Sequence, residues 1–209
     1  MGDMQNTKPL TVPTRPGSAE MSIKKSTFLA RVHLLEEATG VKSLVQELRA
    51  LHFKARHVAW AFIIGPRGNQ TPRYSDDGEP SGTAGRPILG LLQKQDHTNT
   101  LVTVVRYFGG VKLGTGGLVR AYSGAAKQAL EATRWEPFLR KIGFRLTISY
   151  EQWPAVEPAL QQEGVTGIET QFTDDITVTG QIVDSAFAAL EQHLTNLCRG
   201  RIQITTSDE

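Results

Sequence analysis

Apolar positions along the chain switch several times between alternating and helical spacing. Residues 22–32, SIKKSTFLARV, alternate well enough to predict a strand with Ile23, Phe28, Ala30 and Val32 on its buried side. Val41, Leu44, Val45, Leu48 and Leu51 then recur at helical spacing, with Lys42, Gln46 and Arg49 opposite them, as in a helix that buries one face. Val58–Ile64 is a continuous apolar run closed by Gly65-Pro66-Arg67-Gly68-Asn69, which reads as a buried strand ending in a turn. Leu101–Val105 reads as a second such strand. Between them a long polar, glycine-bearing stretch, residues 69–86, leads into an apolar helix at residues 87–93, where Pro87 suits the first turn because its missing N–H costs nothing there. Gly117 to about Arg134 predicts a helix with Leu118, Tyr122, Ala125 and Ala129 along one face. This part of the chain is expected to be an α+β layer, a sheet with helices packed on it.

Beyond residue 141 the pattern gives a strand at 144–149, a helix at 151–162, strands at 165–172 and 176–183 joined at Thr173-Asp174-Asp175, a helix at 186–197 and a last strand at 201–205. That order, βαββαβ, is the ferredoxin-like split motif. A fold of this kind hosts many functions and decides none. The expected organisation is a mobile, proline-containing tail over residues 1–18, an N-terminal domain over 19–138 and a ferredoxin-like domain over 142–209.

Charge sharpens the division. Residues 1–141 hold 20 Lys+Arg against 11 Asp+Glu, and residues 142–209 hold 3 against 10, so a segment of net +9 precedes one of net −7. A basic module suits a polyanion, and an acidic one avoids that ligand or recruits a protein partner of its own. The longest apolar run, residues 58–64, is far shorter than the roughly 20 residues that a bilayer-spanning helix needs, so no membrane role is expected. The opening MGDMQNTKPLTVPTRPGSAE carries no apolar signal core. A single cysteine, Cys198, allows no internal disulfide and no zinc knuckle; it reads as a core thiol in a reducing, cytoplasmic setting.

Two segments carry chemistry. The first is RYFGGVKLGTGGLVR, residues 106–120, a strand end followed by Gly109, Gly110, Gly114, Gly116 and Gly117 and then a helix start. Glycines let backbone amides approach an anion closely, and a helix N-terminus adds unsatisfied N–H groups and partial positive charge. Arg106, Lys112 and Arg120 would add attraction for phosphate or carboxylate. The segment fits neither the Walker spacing nor the dinucleotide fingerprint, in which Val119 stands at the third glycine. A tight turn with close helix packing would also explain the glycines, and it is the cations that favour binding. The second segment is YSDDGEPSGTAGRP, residues 74–87, with Asp76, Asp77 and Glu79 around Gly78. These carboxylates either hold a divalent metal, or cap turns and pair with Arg73, Arg86 and Arg106. The second reading weighs more, and no metal or cofactor is assigned. Arg56 and His57, just ahead of the buried strand, form a third candidate in which the histidine serves more readily as structure than as catalyst.

The blocks DDGEPSGTAGRPIL and RYFGGVKLGTGGLVRAYS, with KKSTFLA upstream and ARHVAWAF between, closely resemble the YigZ/IMPACT family over residues 20–135. The last 65 or so residues are similar to the small ferredoxin-like domain of its bacterial members. The resemblance implies an N-terminal domain of the ribosomal S5 domain 2-like type, the fold of domain IV of elongation factor G. Eukaryotic members regulate translation by competing with a kinase for its activator, partly through a further domain outside these blocks, so that partner is not carried over. The resemblance assigns no catalytic residue. As a shared surface it marks Arg56, His57, Asp76, Asp77, Glu79, Thr83, Arg106, Tyr107, Lys112 and Arg120.

The sequence therefore leads to a protein that binds RNA or the ribosome in the regulation of translation and works without catalysis. Arg106, Lys112 and Arg120 would meet phosphates, glycine amides would lie beside them, and Tyr107 or Phe108 would offer a stacking face. The rival is a hydrolase or other enzyme on a small anionic or peptide-like substrate, with His57, Asp76, Asp77 and Glu79 across a cleft from the glycine segment.

Overall fold

The computed structural model describes residues 9–207, and the chain divides between Phe138 and Leu139 into two compact units. In the first, strands β1 (Thr11–Arg15), β2 (Ser18–Ile23) and β3 (Ser26–Leu34) precede helix α1 (Gly40–Leu51); β4 (His57–Ile64) and β5 (Thr71–Ser75) precede α2 (Gly85–Lys94); β6 (Thr100–Tyr107), α3 (Thr115–Glu131) and β7 (Arg134–Pro137) complete it. The second unit runs β8 (Lys141–Ile148), α4 (Trp153–Gln162), β9 (Thr166–Phe172), β10 (Ile176–Val183), α5 (Asp184–Leu197) and β11 (Gln203–Ser207). The fold class is the α+β one expected, with the second unit in βαββαβ order.

An antiparallel sheet in the order β2-β3-β6-β4-β5 organises the first unit. Successive side chains of a strand point to opposite faces, so the register sorts each strand into two rows. Phe28, Ala30, Val32, Ala59, Ala61, Val102 and Val104 face α2 and α3, and meet Ile88, Leu92, Leu118 and Tyr122 in the main core. Ala121, Ala125, Ala126 and Ala129 are fully buried on α3; methyl-sized side chains let that helix lie close to the sheet. The opposite face is covered at one end by α1, through Val41 against Phe62 and Leu101. The second unit stacks α4 and α5 on one face of the sheet β11-β8-β10-β9, around Phe144, Leu146, Ile148, Val178, Leu190 and Leu194.

Four expectations are corrected. Residues 11–15 are no mobile tail. They pair antiparallel with β7, Leu10 is buried, and the Gly17 N–H donates to Thr133 Oγ1 at 3.0 Å; proline suits this two-stranded ribbon because an edge strand can spare its N–H. Residues 1–8 of that expected tail lie outside the described residues. The single strand expected over 22–32 is a hairpin, β2 and β3, reversed at Lys24 and Lys25. Both lysines have left-handed backbones, φ +46° and +66°, a conformation that two-residue turns normally assign to Asn or Gly, so the reversal left no mark in the sequence. The polar stretch 69–86 contains β5, an edge strand whose residues 71–74 are exposed and so show no alternation. The helix expected to reach Arg134 ends at Glu131, and Arg134 opens β7.

Candidate functional site

The ends of β3, β6 and β4 lie side by side, with Arg106 directly opposite both Phe28 and His57. Opposed residues in an antiparallel sheet share a face, so Arg106 turns toward the helices and is only 5% exposed. Burial of a guanidinium is costly without a counter-charge. Glu79 supplies it: Arg106 Nη1 donates to Glu79 Oε1 at 2.6 Å, and the Tyr122 hydroxyl donates to the same oxygen at 2.8 Å. Burial first, then the Glu79 charge, push the Tyr122 pKa far up, which keeps that hydroxyl a donor. The guanidinium also lies 5.5 Å from the centre of the Phe28 ring and 5.6 Å from that of Phe108.

His57 borders this cluster. Its Nδ1 donates to the Asp77 carbonyl at 2.7 Å, which turns Nε2 toward Glu79 Oε1 at 3.9 Å. The three carboxylates of the second segment diverge to different partners. Asp76 accepts from the amides of Gly82, Ala84 and Gly85 at 2.8–2.9 Å and so caps the start of α2. Gly85 must be glycine there, because a Cβ would fall 2.5 Å from the Ser75 carbonyl oxygen. Asp77, in a left-handed turn at φ +48°, accepts from Val58 N at 2.5 Å and pairs with Arg49. Thr83 is buried and donates to the Pro80 carbonyl at 2.6 Å. No group of three or more His, Cys, Asp or Glu side chains is placed to hold a metal among the described residues.

Arg106 and the acidic segment thus meet, but as a closed ion pair inside the fold and not as the facing walls of an open cleft. Tyr107 points away from Arg106 to the other side of the sheet, where its hydroxyl lies 2.8 Å from His52 Nδ1. The expected phosphate-binding trio loses its first member to the interior. Lys112 and Arg120 remain exposed, as does Arg56, whose guanidinium sits 5.0 Å over the Phe108 ring.

The glycines divide by what each one does. Gly109 is pressed against the β2–β3 turn: a Cβ there would lie 1.9 Å from the Lys25 carbonyl carbon, and its N–H donates to Ser26 Oγ at 3.1 Å. Gly110 and Gly114 need positive φ, +83° and +71°, and a Cβ on Gly117 would lie 3.1 Å from the Leu113 side chain. Gly116 faces open space in an ordinary conformation. The first turn of α3 around it has no side-chain cap and no acidic residue, which leaves amide donors of the helix start unclaimed among the described residues.

Sequence reasoning missed Tyr122 as a polar partner, since its spacing on α3 marks only a core position, and missed Lys24 and Lys25 altogether. The close approach of Gly109 brings those two lysines beside the glycine loop, a proximity between residues far apart in the chain that no local pattern records. Exposed cations thus gather about the glycine loop as a basic ridge: Lys24 and Lys25 in the turn against Gly109, Arg56 over the Phe108 ring, Lys112 within the loop and Arg120 in the helix that follows it.

Comparison with known proteins bears on both units. Residues 24–130 match the family model described as the Impact N-terminal domain, and residues 146–201 match a domain of unknown function, DUF1949. IMPACT family member YigZ of Escherichia coli is 32% identical over 199 residues, spanning 95% of this chain and 98% of that protein. An IMPACT family member of Haemophilus influenzae is 34% identical over 194 residues, 92% of this chain and 94% of that one. A crystal structure described as that of a hypothetical protein superposes with a TM-score of 0.81 at 31% identity, over 97% of this chain and 99% of the other.

Proposed function

This chain belongs to the IMPACT family, and from that premise we propose that it binds the phosphates of RNA, free or in the ribosome, through its basic ridge and glycine loop, in a role linked to the regulation of translation. The translation link rests on family resemblance. Binding rests on one observation above the others, the turn at Lys24 and Lys25. Two consecutive non-glycine residues with left-handed backbones cost on the order of 1 kcal/mol each, and Asn-Gly would make the same turn without that cost. Lysine at both positions supports a need for charge at that place, against the glycine loop and ahead of the uncapped start of α3. Arg106 works from beneath: with Glu79 and Tyr122 it holds the end of β6, from which the loop departs, in a fixed place.

RNA binding by the full chain, measured against salt concentration, tests the assignment. Each phosphate contact to single-stranded RNA contributes about 0.7 to the slope of log affinity against log salt. Replacing Lys24, Lys25 and Lys112 by glutamine is expected to lower the affinity and flatten the slope by about 2. An unchanged slope would remove the ridge from the binding surface.

A further inference from the structure

The second unit carries its own candidate surface, at the end of the sheet where β8 leads into α4 and the β9–β10 turn comes alongside. Tyr150 is 52% exposed and Phe172 58% exposed. Their ring centres lie 6.3 Å apart, and Trp153 meets the Phe172 ring edge-on at 6.1 Å. The Tyr150 hydroxyl donates to the Thr173 carbonyl at 2.8 Å, so the ring is fixed before any partner arrives. Single exposed apolar side chains are ordinary on a protein surface, whereas a contiguous aromatic group at this exposure marks a place of contact.

Charge around the rings is predominantly negative. Glu151 adjoins Tyr150, and Asp174 and Asp175 follow Phe172 in the turn; all three are exposed, and none is in an ion pair among the described residues. Glu151 and Asp175 also line an adjoining cleft of about 550 Å³, together with Ser149, Gln152 and one cation, Arg201. We propose that this surface docks a basic, apolar-bearing peptide segment of a partner protein, with Lys or Arg side chains taken up by Glu151, Asp174 and Asp175 and a large apolar side chain laid on Tyr150, Trp153 and Phe172.

Charge complementarity selects this occupant. Residues 142–209 hold 3 Lys+Arg against 10 Asp+Glu, a field that repels RNA and attracts a cationic segment. Ring faces attract such cations further, and aromatic residues anchor peptide contacts through large, preordered area. A small quaternary ammonium ion is a poorer fit, because the rings touch one another as a platform and do not surround a void. The site is independent of the RNA surface on the first unit, and its failure would leave that proposal standing.

The test is anisotropy of a short labelled peptide alternating arginine and leucine, titrated with the full chain. Arginine–serine and glutamate–leucine peptides and a single-stranded RNA serve as comparisons. The arginine–leucine peptide is expected to bind most tightly, to lose about tenfold in affinity with Phe172→Ala, to lose affinity in a salt-dependent way with Asp174→Asn/Asp175→Asn, and to be unaffected by Glu191→Gln on α5. Circular dichroism confirms that each variant is folded. Equal binding by the arginine–serine peptide, insensitivity to Phe172→Ala and to Asp174→Asn/Asp175→Asn, or a Phe172→Ala effect confined to RNA would each overturn the proposal, as would self-association of the chain abolished by the same substitutions.

Discussion

Arg106 shows how much a single residue's role depends on what stands opposite it. From sequence it reads as a phosphate ligand beside glycines; in the fold it is an interior cation held by Glu79 and Tyr122. Removing one partner of a buried pair leaves the other charge uncompensated, so Glu79→Gln is expected to cost about 3–5 kcal/mol in urea unfolding. Tyr122→Phe, which deletes one hydrogen bond, should cost only about 1 kcal/mol. If Glu79→Gln left stability intact and impaired RNA binding alone, the structural role assigned to Arg106 would be wrong. His33 offers a second residue-scale test. Burial, and then the charge of nearby Arg31, lower its pKa from 6.5 to about 4, while its Nε2 lies 3.0 Å from Thr103 Oγ1. Between those two values the unfolded chain takes up a proton that the folded one refuses. Its contribution to stability is therefore complete above pH 6.5 and falls away as the pH drops toward 4. Melting temperatures across that window should decline less steeply in His33→Gln than in the parent.

At the scale of elements, the β2–β3 turn and the glycine loop explain each other. The turn is reversed by lysines in an unfavourable conformation, and the loop touches it through a glycine that admits no Cβ. Replacing Lys24 and Lys25 by Asn and Gly should raise stability by about 1–2 kcal/mol while weakening RNA binding, and a gain in both would deny the lysines a function. The glycines separate in the same way. Gly109→Ala forces the loop off the turn and should lower both stability and binding. Gly116→Ala, with open space around it, should leave stability unchanged or raise it by up to about 1 kcal/mol, so that any loss of RNA binding reports crowding of the exposed amides at the start of α3. Element types were readable where burial sets the pattern, on one face in α2 and β10 and on both in the continuous apolar run of β4. The edge strands β5 and β7, exposed on both faces, carry no alternation and were not read, whereas β9, as exposed, was read from its place before the Thr173-Asp174-Asp175 turn.

Over the whole molecule, each hydrophobic cluster is built from residues of one unit: the sheet with α2 and α3, and its α1 side, in the first, and Phe144 through Cys198 in the second. Leu190 is fully buried in that last cluster, and Leu190→Ala should cost about 2–5 kcal/mol, seen in the unfolding transition followed by far-UV circular dichroism of the full chain. Cys198 lies in the same cluster at 3% exposure, and burial raises its thiol pKa, as fits the core thiol read from its surroundings. No helix of the described residues is long and apolar enough to cross a membrane. The sequence by itself determined the order and kind of most elements, the βαββαβ arrangement, the family, and a basic segment followed by an acidic one, because periodicity, composition and motif spacing are local properties of the chain. Tertiary structure alone decided that Arg106 is inside and Lys24 and Lys25 outside, that Asp76, Asp77 and Glu79 turn to different partners, and that Tyr150, Trp153 and Phe172 gather into one surface. Those outcomes follow from strand register and from backbone contacts between distant segments, and neither leaves a periodic trace in sequence.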